Sequence, residues 1–172
     1  MKANKLIIPA LSILLSLLLL FTGCDNQEET DNNAGYETGF IFVYADTTVY
    51  LGDYANDVLE KLGPELNFYE YDNDVFNGTM KIYCYNGFDI STYAKAEQNE
   101  YKICSIALND DSILTCEGIS IGQTVSDMIE VYGEAHEAFP GSYYRYIKAG
   151  TALSFDVDDN IIIAITYSLI NV

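Results

Sequence analysis

One histidine, four cysteines and 26 carboxylates in 172 residues set the limits on what chemistry this chain could perform. Nucleophilic catalysis needs a base within reach of a Ser, Thr or Cys, most often an imidazole. The only one, His136, lies in Gly133-Glu134-Ala135-His136-Glu137, a polar run that reads as an exposed loop after a helix. Carboxylate pairs of the glycosidase kind could be drawn from so many acids that none stands out, and an envelope hydrolase using two carboxylates is the enzymatic alternative. Asp156-Val157-Asp158-Asp159-Asn160 opens like a calcium loop. Ile161 then stands where the loop's glycine belongs and Tyr167 where its bidentate acid belongs. A hairpin turn accounts for the run better, as a turn does for Asp72-Asn73-Asp74. Cys84, Cys104 and Cys116 lack CxxC spacing and have one histidine to share, a poor donor set for zinc. There is no P-loop, no strand-borne GxGxxG and no GxSxG. The reading is a non-enzymatic protein with no catalytic residue, metal, cofactor or small-molecule ligand.

Contact chemistry is better represented. The chain has fifteen tyrosines and no tryptophan. Tyr143, Tyr144, Arg145 and Tyr146 are consecutive, and Tyr83 and Tyr85 repeat the spacing of Tyr144 and Tyr146. Tyrosine and arginine dominate interface hot spots, so these six are the candidates for contact with a partner. Strand alternation leaves two orientations open: outward, toward a partner, or inward, packed between helix and sheet with the hydroxyl at the edge. Met80, Ile82 and Cys84 offer an equally apolar opposite face. Were the tyrosines outward, Cys84 would point inward beside Cys104, where a disulfide could form.

The fourth thiol has a different setting. Two lysines and no acid precede Leu6–Phe21, sixteen residues broken only by Pro9, Ser12 and Ser16 and followed by Thr22-Gly23-Cys24. A spanning helix needs about 20 apolar residues, so this run is short for an anchor and right for a signal-peptide core. Leu20-Phe21-Thr22-Gly23-Cys24 resembles the lipobox of bacterial lipoproteins, although Phe21 replaces the commoner aliphatic residue. The resemblance implies a diacylglyceryl group on the Cys24 thiol, cleavage of residues 1–23, and retention at the extracytoplasmic face of the plasma membrane. Asp25, next in the chain, is the residue that favours inner-membrane retention among Gram-negative members. Two or three acyl chains, at about 0.8 kcal/mol per buried methylene, hold far better than one.

Loss of Lys2 and Lys5 with the leader leaves six basic residues against 26 acidic ones, a formal charge of −20 on the remaining 149 residues. Such a surface repels phosphate backbones and excludes nucleic acid as a partner. It would attract a cationic protein or loosely held divalent cations, and solubility on a crowded envelope is the plainer reading of the charge. Residues 24–39 are polar and acidic without apolar periodicity, a tether spanning roughly 20 Å. Residues 40–172 are then one domain of ordinary size.

That domain repeats itself. Val49-Tyr50-Leu51-Gly52 and Asp57-Val58-Leu59-Glu60-Lys61-Leu62-Gly63 return, with no gap, as Ile119-Ser120-Ile121-Gly122 and Asp127-Met128-Ile129-Glu130-Val131-Tyr132-Gly133. Ala55, Val58, Leu59 and Leu62, then Val125, Met128, Ile129 and Tyr132, form two apolar stripes at helical spacing. Asp53 and Thr124 are the expected caps, and Gly63 and Gly133 the expected stops. Strand-like runs follow each helix. The expectation is an α+β fold of two repeats, about 47–109 and 117–172, each a short helix plus a three-stranded antiparallel meander preceded by a short strand, with both helices on one face of the sheet.

The pattern of paired apolar residues, glycine, helix stripe and aromatic-ended meander is similar to the SmpA/BamE group of envelope lipoproteins, to the β-lactamase inhibitor proteins, and to tandem-unit lipoproteins of Gram-positive gut bacteria. It covers about residues 47–170. The resemblance implies protein–protein binding through an open sheet face, with inhibition of an extracytoplasmic enzyme as one form of it. No inhibitory loop can be matched residue by residue.

Overall fold

A computed structural model describes residues 38–73, 77–96 and 98–171. The leader, Cys24 and most of the tether lie outside the described residues. Among the described residues no helix is long and apolar enough to cross a membrane.

The chain opens with a hairpin of β1 (Ile41–Tyr44) and β2 (Thr47–Tyr50), which forms a two-stranded sheet of its own. Helix α1 (Ala55–Leu62) leads into β3 (Asn67–Asn73), β4 (Gly78–Cys84), β5 (Phe88–Lys95) and β6 (Lys102–Leu108). Helix α2 (Val125–Tyr132) leads into β7 (Glu137–Phe139), β8 (Tyr143–Lys148), β9 (Thr151–Asp158) and β10 (Ile161–Leu169). All eight later strands make one antiparallel sheet, in the order β3-β4-β5-β6-β10-β9-β8-β7. The two halves meet at its centre, where Ser105 to Leu108 pair with Ser168 to Ile165.

This corrects the α+β expectation of three-stranded units. The described residues are mostly β, about 50% strand against 12% helix, and four strands, not three, follow each helix. The strands that sequence patterning misses are β3 and β7. Asn-Phe-Tyr-Glu-Tyr-Asp-Asn is exposed at nearly every position and Glu-Ala-Phe at all three, so neither shows the apolar alternation that marks a half-buried strand. The short strand expected before each helix exists only as β2. Ile119 and Ser120 are buried without forming one.

The repeated glycines have a shared physical role. Gly52 donates to Ile103 O at 2.7 Å and Gly122 to Ile162 O at 2.9 Å, each tying the run before a helix to the last strand of its own half. Both sit at φ above +90°, where a side chain is strained. The helix stops match as well: the Gly63 amide bonds Leu59 O and the Gly133 amide bonds Ile129 O. The caps do not match. Thr124 accepts from the Asp127 amide and Asp127 reaches back to Thr124, a full capping box. Asp53 is not a cap: Tyr54 holds that position without a side-chain bond, and the Asp53 carboxylate accepts the Tyr50 amide at 3.4 Å.

One core runs the length of the covered face. Phe88, Ile90, Ile106, Phe155, Ile162, Ile165 and Tyr167 are sealed under Ala55 and Val58 of α1 and Val125 and Met128 of α2. Ile129, on the expected apolar stripe, is instead 41% exposed. The hairpin covers the middle. Phe42 is 1% exposed, with its ring centroid 5.0 Å from Phe88 on β5 and 5.9 Å from Tyr167 on β10.

The segment joining the halves adds a polar cluster. The Tyr132 hydroxyl lies 2.6 Å from Glu117 Oε2 and 2.8 Å from Thr115 Oγ1, which accepts the Ile119 amide. A carboxylate only accepts, so the phenol donates to Glu117 and the threonine hydroxyl is left to donate to the phenol. Tyr167 is buried nearby. Its hydroxyl makes no hydrogen bond of full geometry among the described residues, and the Cys116 main chain comes nearest to one.

Candidate functional site

Because successive residues of a strand point to opposite faces, the register divides the large sheet's side chains into two sets. One set carries the core: Phe88, Ile90 and Ala94 on β5, Ile106 and Leu108 on β6, Leu153, Phe155 and Val157 on β9, Ile165 and Tyr167 on β10. The residues between them face away from helices and hairpin. Across the four central strands this second set is small and polar. Ser91 stands opposite Ser105 and Ser105 opposite Ser168; Ala107 stands opposite Thr166 and Thr166 opposite Ser154.

Large side chains frame this floor on both flanks. On one, Tyr71, Met80 and Tyr93 lie in register across β3, β4 and β5, with Tyr69 opposite Ile82 in the next row. On the other, Tyr143 and Arg145 of β8 stand with Phe139 and Glu137 of β7. Arg145 and Glu137 pair at 3.3 Å, Phe139 and Tyr143 rings lie 6.4 Å apart, and the Tyr143 hydroxyl meets Ser154 Oγ at 3.1 Å. Tyr69, Tyr71 and Phe139 are exposed. The result is a face with a low, hydroxyl-lined middle and aromatic sides.

The six contact candidates are split between the faces. Tyr143 and Arg145 belong to the uncovered one. Tyr83, Tyr85, Tyr144 and Tyr146 belong to the covered one. Tyr146 is 3% exposed and its hydroxyl donates to Gly133 O at 2.9 Å. Tyr85 stacks on Phe88 at 5.0 Å and reaches Gly63 O at 3.4 Å. Each thus latches the end of the helix above it to the sheet, and the two latches are equivalent in the two halves. Burial pushes the Tyr85 phenol up to about 12, with the Glu65 charge adding to it, and raises Tyr146 as well. Tyr83 packs on Phe68 at 5.1 Å, and Tyr144 packs against the core.

Sequence patterning missed Tyr69, Tyr71 and Phe139, because β3 and β7 were missed, and Tyr93 on β5, whose place beside them shows only in the strand register. It also missed the floor. The signal for the floor is present at the middle of the strands, where β5, β6, β9 and β10 alternate large apolar residues with Ser, Ala or Thr, while Asp89, Asp156 and Asp158 stand toward the strand ends. An alternation with small rather than charged partners marks an outer face of low relief.

The remaining reactive groups stay apart. Cys84 and Cys104 are free thiols, so the disulfide weighed between them is not formed. They lie on β4 and β6, with β5 between. Cys104 donates to Ser91 O at 3.3 Å, and burial pushes its thiol up to about 11. Cys116 is not among the free thiols. His136 is exposed, and its Nδ1 accepts the Ile147 amide at 3.2 Å, which commits one ring nitrogen to the main chain. Asp159 and Asn160 both have positive φ between paired Asp158 and Ile161, a two-residue hairpin turn. Asp72 lines an open depression of about 290 Å³ with Thr79 and Asn77. Glu100 lines another, of about 180 Å³, with Lys95 and Lys102. Among the described residues each is lined by one carboxylate. Among the described residues no three His, Cys, Asp or Glu side chains gather as a metal site.

No protein-family model matches the chain, and neither do the curated proteins or the solved structures compared with it.

Proposed function

We propose that this protein is a lipid-anchored, extracytoplasmic binding module that docks a protein partner over the uncovered face of its large sheet and catalyses no reaction. The observation that carries the reading is the floor of Ser91, Ser105, Ser154, Thr166 and Ser168 between aromatic flanks. Small side chains let a partner approach the sheet closely, and rigid tyrosines at the rim supply contact area at low entropic cost. Arg145, paired with Glu137, adds a charged contact at one flank. The lipobox-like leader supports the anchored half of the reading, and the likeness to envelope lipoproteins supports the binding half.

A photo-crosslinking residue at Ser105 or Thr166, in cells, is expected to capture one consistent protein. The same residue at Glu60 or Glu130, on the outer sides of the helices, is expected to capture none. Thr166→Arg, which fills the floor, is expected to abolish the cross-link from Ser105. Equal capture from floor and helices, or capture that survives Thr166→Arg, refutes the docking face.

A further inference from the structure

The two edges of the eight-stranded sheet are unlike. β7 is three residues long and runs into Pro140, the kind of short, blocked edge that discourages further pairing. β3 holds seven residues in unbroken register with β4. It contains no proline, lysine or bulge, and Asn67 to Asp72 are all exposed.

The β4–β5 hairpin decides which backbone groups of β3 are unused. The Tyr85 amide bonds Phe88 O at 2.8 Å. By antiparallel alternation, Tyr83, Lys81 and Thr79 then exchange bonds with β5, and Ile82 and Met80 turn to β3. Their partners Tyr69 and Tyr71 are committed to that ladder. Phe68, Glu70 and Asp72 therefore turn their amides and carbonyls outward. The Phe68 amide bears this out: it bonds the Asn67 side chain at 2.9 Å rather than the ladder. Among the described residues the Glu70 and Asp72 main chains are left on the open edge.

The same two residues supply the charge. Lys81, 3.5 Å from Glu70, compensates it from the inner side, while the Glu70 side chain stays 49% exposed. A second copy pairing antiparallel about Glu70 would set Glu70 against Glu70, in chains of net charge −18. Like charges directly opposite destabilise a ladder. Charge thus guards this edge against its own kind while leaving it open to the opposite charge.

We propose that β3 is a strand-addition site for an extended basic segment of another protein. Lys or Arg at alternate positions lie beside Glu70 and Asp72, and apolar residues between them lie beside Tyr69 and Tyr71. Main-chain bonds supply the affinity and the alternate side chains the selectivity. The site does not depend on the docking face above.

The test uses the full chain in mild detergent and a capped synthetic peptide of sequence KVKVKVK. Residue-resolved amide exchange is expected to slow at Glu70 and Asp72 on saturation and to stay unchanged on β7. A peptide with glutamate in place of lysine is expected to bind at least about tenfold more weakly, and Glu70→Gln, which keeps the amide, to lose about two- to fivefold. Glu70→Pro, tolerated on an edge strand, is expected to abolish binding while amide exchange in β5 and β6 remains slow. Binding without protection at Glu70 and Asp72, or equal binding of the acidic peptide, overturns the proposal. So does sedimentation showing a dimer whose Glu70 and Asp72 amides are protected without peptide, because the occupant would then be a second copy.

Discussion

Alkali should unfold this protein in a way set by two phenols. Tyr132 and Tyr167 are held above the ordinary tyrosine range: Tyr132 by burial, then by its hydrogen bond to Glu117 and the charge of that carboxylate, and Tyr167 by burial, then by the same charge. In the unfolded chain both titrate near ~10. Their contribution to stability is therefore complete below about pH 10 and is lost as pH rises above it, because the unfolded state releases two protons that the folded state keeps. Two protons correspond to about 2.7 kcal/mol per pH unit, or a fall of roughly 1–2 M per unit in the urea midpoint. Cys104, pushed up to about 11 from an ordinary value of 9, adds an earlier loss between those values, so the series is measured in Cys104→Ala. Tyr85, pushed up to about 12, and Tyr83 and Tyr146, raised by burial, add to the same slope, so the share of the two buried phenols is read as a difference. Equilibrium urea unfolding at steps from about pH 8.5 to 11.5 should show the slope set in near 10. Tyr132→Phe should lower the slope by about 1.4 kcal/mol per unit, and so should Tyr167→Phe. A flat wild-type profile above pH 10, or a slope indifferent to both variants, refutes the account of these phenols as buried and neutral.

Phe42→Ala removes the ring shared by Phe88 and Tyr167 and should cost about 3–5 kcal/mol in urea unfolding, against under about 1 kcal/mol for the exposed Phe68→Ala. Thr124→Ala should cost about 1 kcal/mol through the lost capping box, whereas Asp53→Ala, which removes no helix cap, should show little effect on exchange in the first turn of α1. Radiolabelled fatty acid fed to cells should mark the protein, persist in Cys116→Ala and vanish in Cys24→Ala; label retained without Cys24 would overturn the anchor.

The helices were legible from the chain because Val58 and Met128 head stripes at helical spacing and end at Gly63 and Gly133. The turn was equally plain, since only Asp158-Asp159-Asn160 stand between Val157 and Ile161. What failed was the edges. Strand pairing at a sheet boundary rests on backbone bonds, and β3 needs no buried side chain to make them. The tyrosine question failed differently. On β4 both phases are apolar, so alternation alone could not say that Tyr85 reaches the carbonyl of Gly63. That contact is settled by where the helix lies, a tertiary fact. The floor was written in Ser105 and Thr166 but needed the pairing of β6 with β10 before its residues could be placed side by side.

The pairing of β6 with β10 also imposes a schedule. β10 is the last strand described and it lies near the middle of the sheet, flanked by β6 and β9. The first half can form its own ladder early, yet Phe88, Ile106 and Phe42 keep one side bare until Ile165 and Tyr167 arrive. Were the chain exported N-terminus first, as proposed, the core could not be sealed until residue 169 had emerged. Under that proposal the central place of β10 would delay closure of the core until the last described strand arrives.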